Sequence, residues 1–173
     1  MAWTYAYSIA KEELNELVKK LGEDLKRIIA DKVAPKRAIT RQLRPEDIGL
    51  PNPSWEVTIP AGATEVTLYQ FTVQQTKAVG IFGFYSDYDA IKEIEVYAGS
   101  KRVAVIPLEE MYYFSGRGDY VAKFLTGEDI LKIPERTEVR IVGKVYPAPT
   151  SSATARLLLL GVIAEAEGDV VSL

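Results

Sequence analysis

TEVRIVGKVY, residues 137–146, decides the fold. Val139, Ile141, Gly143 and Val145 alternate with Glu138, Arg140 and Lys144, the two-residue period of a strand with one buried face. Ile94, Val96 and Ala98 alternate with Glu93, Glu95 and Tyr97 in the same way, and Gly99-Ser100 reads as a tight hairpin into the run that follows. Pro60-Ala61-Gly62 marks a turn after an earlier strand. Extending outward, the pattern predicts strands over 55–59, 64–73, 77–85, 91–99, 101–107, 119–124, 137–146 and 154–165, with a further run at 169–172. Two of these break the alternation. In 77–84, Val79 and Ile81 are expected on one face and Phe82 and Phe84 on the other. In 157–163, Leu157 to Leu160 with Val162 and Ile163 leave neither face polar, so the strand needs cover on both sides.

About eight short strands predict a mainly β chain, a sandwich or barrel. The connections are uneven: some are tight hairpins, while 108–118 and 125–136 run to ten or more residues. That favours a single jelly roll or Greek key over a meander. Gly127-Glu128-Asp129-Ile130-Leu131 is expected to form one helical turn inside a long connection.

The period changes near residue 50. Leu14, Leu17, Val18, Leu21, Leu25, Ile28 and Ile29 recur at spacings of three and four, the stripe of an amphipathic helix. Ser8 is the expected N-cap and Pro35 the stop. Glu12, Glu13 and Glu16 near the start, with Lys26, Arg27 and Lys32 near the end, complement the helix dipole. Gly22 is expected mid-helix on the polar side. The organisation is therefore a helix over 1–34, a basic, Pro-containing arm over 35–54 and a jelly-roll-like β-domain over 55–173. The stripe has three possible partners: the chain's own sheet, a neighbouring subunit's helix, or a membrane surface with Trp3, Tyr5 and Tyr7 beside it. A segment of some twenty residues without period, punctuated by Pro35, Pro45, Pro51 and Pro53, suits an arm crossing to another subunit.

The 173 residues carry a net charge of −3, distributed as +2 over 1–54 and −5 over the rest. Between Lys26 and Arg44 seven bases (Lys26, Arg27, Lys32, Lys36, Arg37, Arg41, Arg44) face a single acid, Asp31. Such a run suits a phosphate-rich surface, lipid headgroup or nucleic acid; the competing reading is a solvated linker. No secretory leader is expected, and Leu157–Ala164 is far shorter than the ~20 residues of a bilayer helix. Few Asn and Gln beside many charged residues fit a hot-environment source.

The chain has no histidine and no cysteine, so the groups that most often do chemistry near neutral pH are missing. Asp87 and Asp89 form half of a conceivable calcium loop without its glycine and further oxygens. Glu109, Glu110 and Asp119 could furnish paired carboxylates, although no spacing requires it. Tyr112, Tyr113, Phe114 and Tyr120 form the densest aromatic cluster, a sugar platform or packing under a loop. Arg117-Gly118-Asp119 is too short a match to a cell-adhesion tripeptide to count. No catalytic residue, metal site or cofactor is expected.

An N-terminal amphipathic helix (Ser8–Val33), a basic arm (Lys36–Arg44) and one eight-stranded domain (Trp55–Leu173) together resemble the single jelly-roll capsid proteins of icosahedral viruses. They are most similar to the smaller major capsid proteins of tailless, membrane-containing viruses of thermophilic bacteria and archaea. The resemblance rests on the order of segments and implies a structural, non-enzymatic protein that self-assembles into a shell. It also implies a second capsid protein as partner, an inner face directed at viral lipid or genome, a place in the virion after assembly in the host cytoplasm, and no small-molecule substrate. On this reading Leu14, Leu17, Val18, Leu21, Leu25 and Ile28 form an assembly interface. Lys26, Arg27, Lys36, Arg37, Arg41 and Arg44 face membrane or nucleic acid. The alternative is a jelly-roll module binding carbohydrate or a cell surface through Tyr112, Tyr113 or Tyr88.

Overall fold

The computed structural model describes residues 5–6, 10–115 and 122–168. Its strands are β1 (Tyr5–Ala6), β2 (Ala38–Gln42), β3 (Glu56–Ile59), β4 (Glu65–Thr72), β5 (Ala78–Ser86), β6 (Ile91–Ala98), β7 (Lys101–Pro107), β8 (Lys123–Leu125), β9 (Leu131–Ile133), β10 (Glu138–Val145) and β11 (Ala153–Ala166). Its helices are α1 (Lys11–Val33) and α2 (Glu109–Ser115), with single 3-10 turns at Pro45–Ile48 and Gly127–Asp129.

All pairings are antiparallel. One sheet runs β4-β10-β6-β7; the other runs β1-β8-β5-β11-β2, with β3 also on β11 and β9 also on β5. The register shows that β2 and β3 lie end to end along β11, Ala38 opposite Ala166 and Ile59 opposite Ala153. They are one edge strand interrupted by residues 43–55. In the same way β8 and β9 lie end to end along β5, interrupted by 126–130. Counted so, and apart from the two-residue β1 added at the rim beside β8, the sandwich has eight strands. Within these eight, successive strands switch sheets at every connection except the β6–β7 hairpin, which is the wiring of a jelly roll.

The inner faces pack as the alternation requires. Val57, Ile59, Ile81, Leu157, Leu159 and Ile163 from one sheet meet Phe71, Ile94, Val96, Ile106, Val139 and Ile141 from the other. The buried Tyr69 hydroxyl donates to Leu157 O at 2.7 Å, tying the sheets together, and Gly99, at φ +65°, makes the β6–β7 hairpin.

The doubly apolar strand finds its second cover within the chain. Odd residues of β11 point into the sandwich, while Val162, Ala164 and Ala166 point outward into a second cluster with Leu21, Leu25, Ile29 and Val33 of α1. Helix α1 lies across β5, β11 and β2. Glycines set how closely it lies. A Cβ on Gly80 would stand 2.7 Å from Leu21 Cδ1, and one on Gly22 would stand 3.3 Å from Thr40 Oγ1. Ion pairs pin the rim, Asp24 to Lys132 at 2.9 Å and Lys32 to Glu135 at 2.8 Å.

Several expectations are corrected. Residues 35–54 are not a free arm: β2 belongs to the domain's own sheet, and the turn at Pro45–Ile48 buries Pro45 and Ile48. Gly22 is buried beneath the helix, where its missing side chain admits β2. Phe82 and Phe84 face opposite sides, because the register shifts by one residue at Leu160/Gly161 and leaves Phe82 as the extra residue. Phe84 therefore joins the sandwich core and Phe82 the helix cluster. The 108–118 connection contains α2. The helical turn at Gly127–Asp129 forms as expected. The Ser8 cap, Trp3, Tyr7, residues 117–120 and the run at 169–172 lie outside the described residues.

Gly80→Ala forces Leu21 off its seat and is expected to cost about 1–3 kcal/mol by overpacking. Leu25→Ala leaves a void under the helix and is expected to cost about 2–5 kcal/mol. Urea unfolding of both variants measures these losses; unchanged stability would mean that α1 does not dock as described.

Candidate assembly surfaces

The residues singled out for assembly divide along the helix. Leu21 and Leu25 are fully buried beneath α1 and face no neighbour. Leu14, Leu17, Val18 and Ile28 are half-buried on the same cluster. Leu17 borders a cleft of about 400 Å³ toward Ile130 and Lys132, and Val18 borders one of about 300 Å³ toward Leu160 and Gln42. Between them the outer face of α1 carries exposed Lys11, Glu12, Glu13, Glu16, Lys19, Lys20 and Glu23. A helix whose apolar stripe lies on a sheet and whose outer face is charged offers no greasy side to a bilayer. No helix among the described residues is long and apolar enough to cross a membrane.

The basic run is largely compensated within the chain. Lys26 pairs with Glu23 at 2.9 Å, Arg27 with Asp24 at 3.4 Å, Arg37 with Glu167 at 3.3 Å and Arg44 with Glu46 at 4.0 Å. Arg41 is the clear correction, since it faces the sandwich rather than a phosphate surface. Its Nε donates to Glu165 Oε1 at 2.6 Å, and its two terminal nitrogens grip Asp47 at 2.8 and 2.7 Å. Glu165 has a side chain only 1% exposed, and its other oxygen lies 3.2 Å from Lys77 Nζ. Burial alone would raise the Asp47 carboxyl; the Arg41 fork and the Arg44 amide outweigh it and hold the group below the usual range. This four-residue cluster fastens the break between β2 and β3 to the end of β11. The sequence pattern missed it because Arg41 and Glu165 are 124 residues apart.

A second charged lattice occupies the outer face of the four-stranded sheet. Glu95 lies at its centre and accepts from Tyr97 Oη at 2.9 Å, Arg102 Nη1 at 3.1 Å and Lys144 Nζ at 3.2 Å. These three donors hold the Glu95 carboxyl down at about 2. Lys144 also reaches Glu65 at 3.1 Å, and Arg140 stacks over the Tyr97 ring at 4.3 Å. The charges on this face are paired among themselves. At the sheet's rim, β7 pairs only with β6, and its Val103 and Val105 are 44% and 37% exposed.

The remaining candidates have structural work. Asp87 Oδ1 accepts the Arg156 amide at 2.9 Å and so holds the β5 end against β11. Among the described residues no three carboxylates gather as metal ligands. Glu109 and Glu110 open α2, while Asp119 lies outside the described residues. Tyr112 is tied by its hydroxyl to Ile91 O at 2.8 Å, and Tyr88 is half-buried. Tyr113 and Tyr146 are 61% and 74% exposed. Lys123 is buried in β8; burial pushes its ammonium down while Glu110 pulls it back up.

No known family model and no curated protein matches the chain.

The lattice has a pH signature. Its folded carboxyl titrates at about 2, against 4.5 for an ordinary glutamate. Its stabilisation is therefore complete above about 4.5 and lost as pH falls toward 2. Glu95→Gln is expected to unfold at lower denaturant than the native chain at pH 7, with the gap closing toward pH 2. A gap independent of pH would refute the lattice's electrostatic role.

Proposed function

We propose that this chain is a capsid-type structural protein, one copy of a subunit that self-assembles with others into an icosahedral shell. The observation that carries this reading is the strand order. An eight-stranded sandwich wired as β8/β9-β5-β11-β2/β3 against β4-β10-β6-β7 is the jelly roll that shell subunits use, among other proteins. The surfaces support it in kind. Buried Glu165 and Glu95 serve as structural ties, and the outer sheet is a face of paired charges ending in an open edge with exposed valines. Shell subunits are self-complementary at their rims rather than concave at a centre.

On this reading the partners are further copies of the chain, a second capsid protein, and viral lipid or genome. Contact with a phosphate surface falls to Arg27, Lys36, Arg37 and Arg44, which are exposed, rather than to Arg41, which is held by Asp47 and Glu165. The location that follows is the virion. Glycan or cell-surface binding is the second reading, favoured by the exposed rings of Tyr113 and Tyr146. Tyr112 and Tyr88, engaged in packing, add little to such a platform.

Sedimentation velocity and native mass spectrometry of the purified chain test the proposal. Reversible species larger than a monomer, growing with concentration, are expected. A strict monomer across concentration and salt that binds glycans through Tyr113 or Tyr146 would replace it with the second reading.

A further inference from the structure

Strand β7 is the one long strand of the four-stranded sheet's rim with apolar side chains exposed, and its free edge has a definite polarity. Leu108 N–H donates to Lys92 O at 2.9 Å, and Ile94 faces Ile106 while Glu95 faces Val105. Residues in phase with Leu108, namely Ile106 and Ala104, therefore bond to β6. Val105, out of phase, turns its own N–H and C=O toward the open edge. Pro107 shares that phase, so the missing amide of proline falls on the open side, where an edge strand tolerates it.

The strand is also self-complementary. It reads Lys101-Arg102-Val103-Ala104-Val105-Ile106-Pro107, and one residue beyond it α2 opens with Glu109 and Glu110. Lys101, Arg102, Glu109 and Glu110 are all exposed. Antiparallel pairing about a two-fold axis at Val105 sets Val105 against its own copy, and it brings Lys101 and Arg102 at the start of each strand to the end where the other copy's α2 opens with Glu109 and Glu110. Val103, the extra residue of a bulge opposite Val96 and Tyr97, stands outside this ladder. The bases at one end of each strand thus meet the acids beyond the other end of its partner, and the exposed Val105 side chains meet at the centre.

The geometry points to β7 as a docking edge for a second copy of this chain, the two four-stranded sheets joining into one continuous eight-stranded sheet. This inference rests on the shell-building reading and supplies one of its contacts. A ladder of this length buries little area, so the pair is weak alone and gains strength only where other contacts act with it.

The absence of native cysteine makes the test simple. In a hydrogen-bonded antiparallel pair the facing Cα atoms lie about 5.5 Å apart, within reach of a disulfide. Val105→Cys is expected to run as a covalent dimer after mild oxidation, whereas Thr72→Cys, on the opposite rim at β4, stays monomeric. Val105→Pro removes the outward amide without touching the bonds to β6. It is expected to keep the native melting temperature and weaken self-association at least about tenfold in sedimentation equilibrium. If Val105→Pro fails to fold, Val105→Lys takes its place with the same expectation. Native-strength association in these variants, with no Val105→Cys dimer, would overturn the β7 contact and leave the shell reading standing. No association of the native chain at any concentration would overturn both.

Discussion

From Leu157 to Ala164 strand β11 has no polar face, and the rest of the structure is arranged around covering both sides of that stretch. Leu157, Leu159 and Ile163 point into the sandwich, while Val162, Ala164 and Ala166 point away from it. A sheet with one solvated face would leave the outward set in water. Folding α1 back over β5, β11 and β2 removes that penalty, and the close approach at Gly80 and Gly22 lets the helix seat fully. The helix is thus a third layer of the domain, and its stripe is largely consumed in making that layer.

This placement changes where assembly contacts can lie. Surface that is apolar in sequence is no longer apolar in space once Leu21, Leu25 and Ile29 are buried. What is left outward is a charged helix face, a lattice of paired charges around Glu95, two clefts flanking α1 and the β7 edge. On the proposed reading, contacts between copies use rims and edges, with the helix docked throughout. The cluster of Arg41, Asp47, Glu165 and Lys77 stiffens the opposite rim, where β2 and β3 are interrupted. Glu165 is fully buried and the other three are partly so, and removing Arg41 or Lys77 would leave the buried carboxylate under-compensated.

The strands and the main helix were legible because their signals are local. Alternation in 137–146 and 91–98 and the three-four spacing of 14–29 each fix an element from neighbours in sequence. The jelly-roll wiring followed from strand number and uneven connections. What escaped was long-range. Residues 38–42 carry no strong alternation, since Thr40 and Gln42 face the helix side while Ile39 and Arg41 face inward, and only pairing with 162–166 makes them a strand. Arg41 reads as one more base in a basic run until Glu165 is placed beside it. The Phe82–Phe84 inversion depends on a register shift that only the partner strand reveals.

Electron imaging of the purified full-length chain at rising concentration tests the central claim most directly. The account predicts ordered material, curved sheets or closed shells, whose repeating unit accommodates the sandwich with its helix docked. A field of separate particles the size of one chain, unchanged at every concentration, would contradict it.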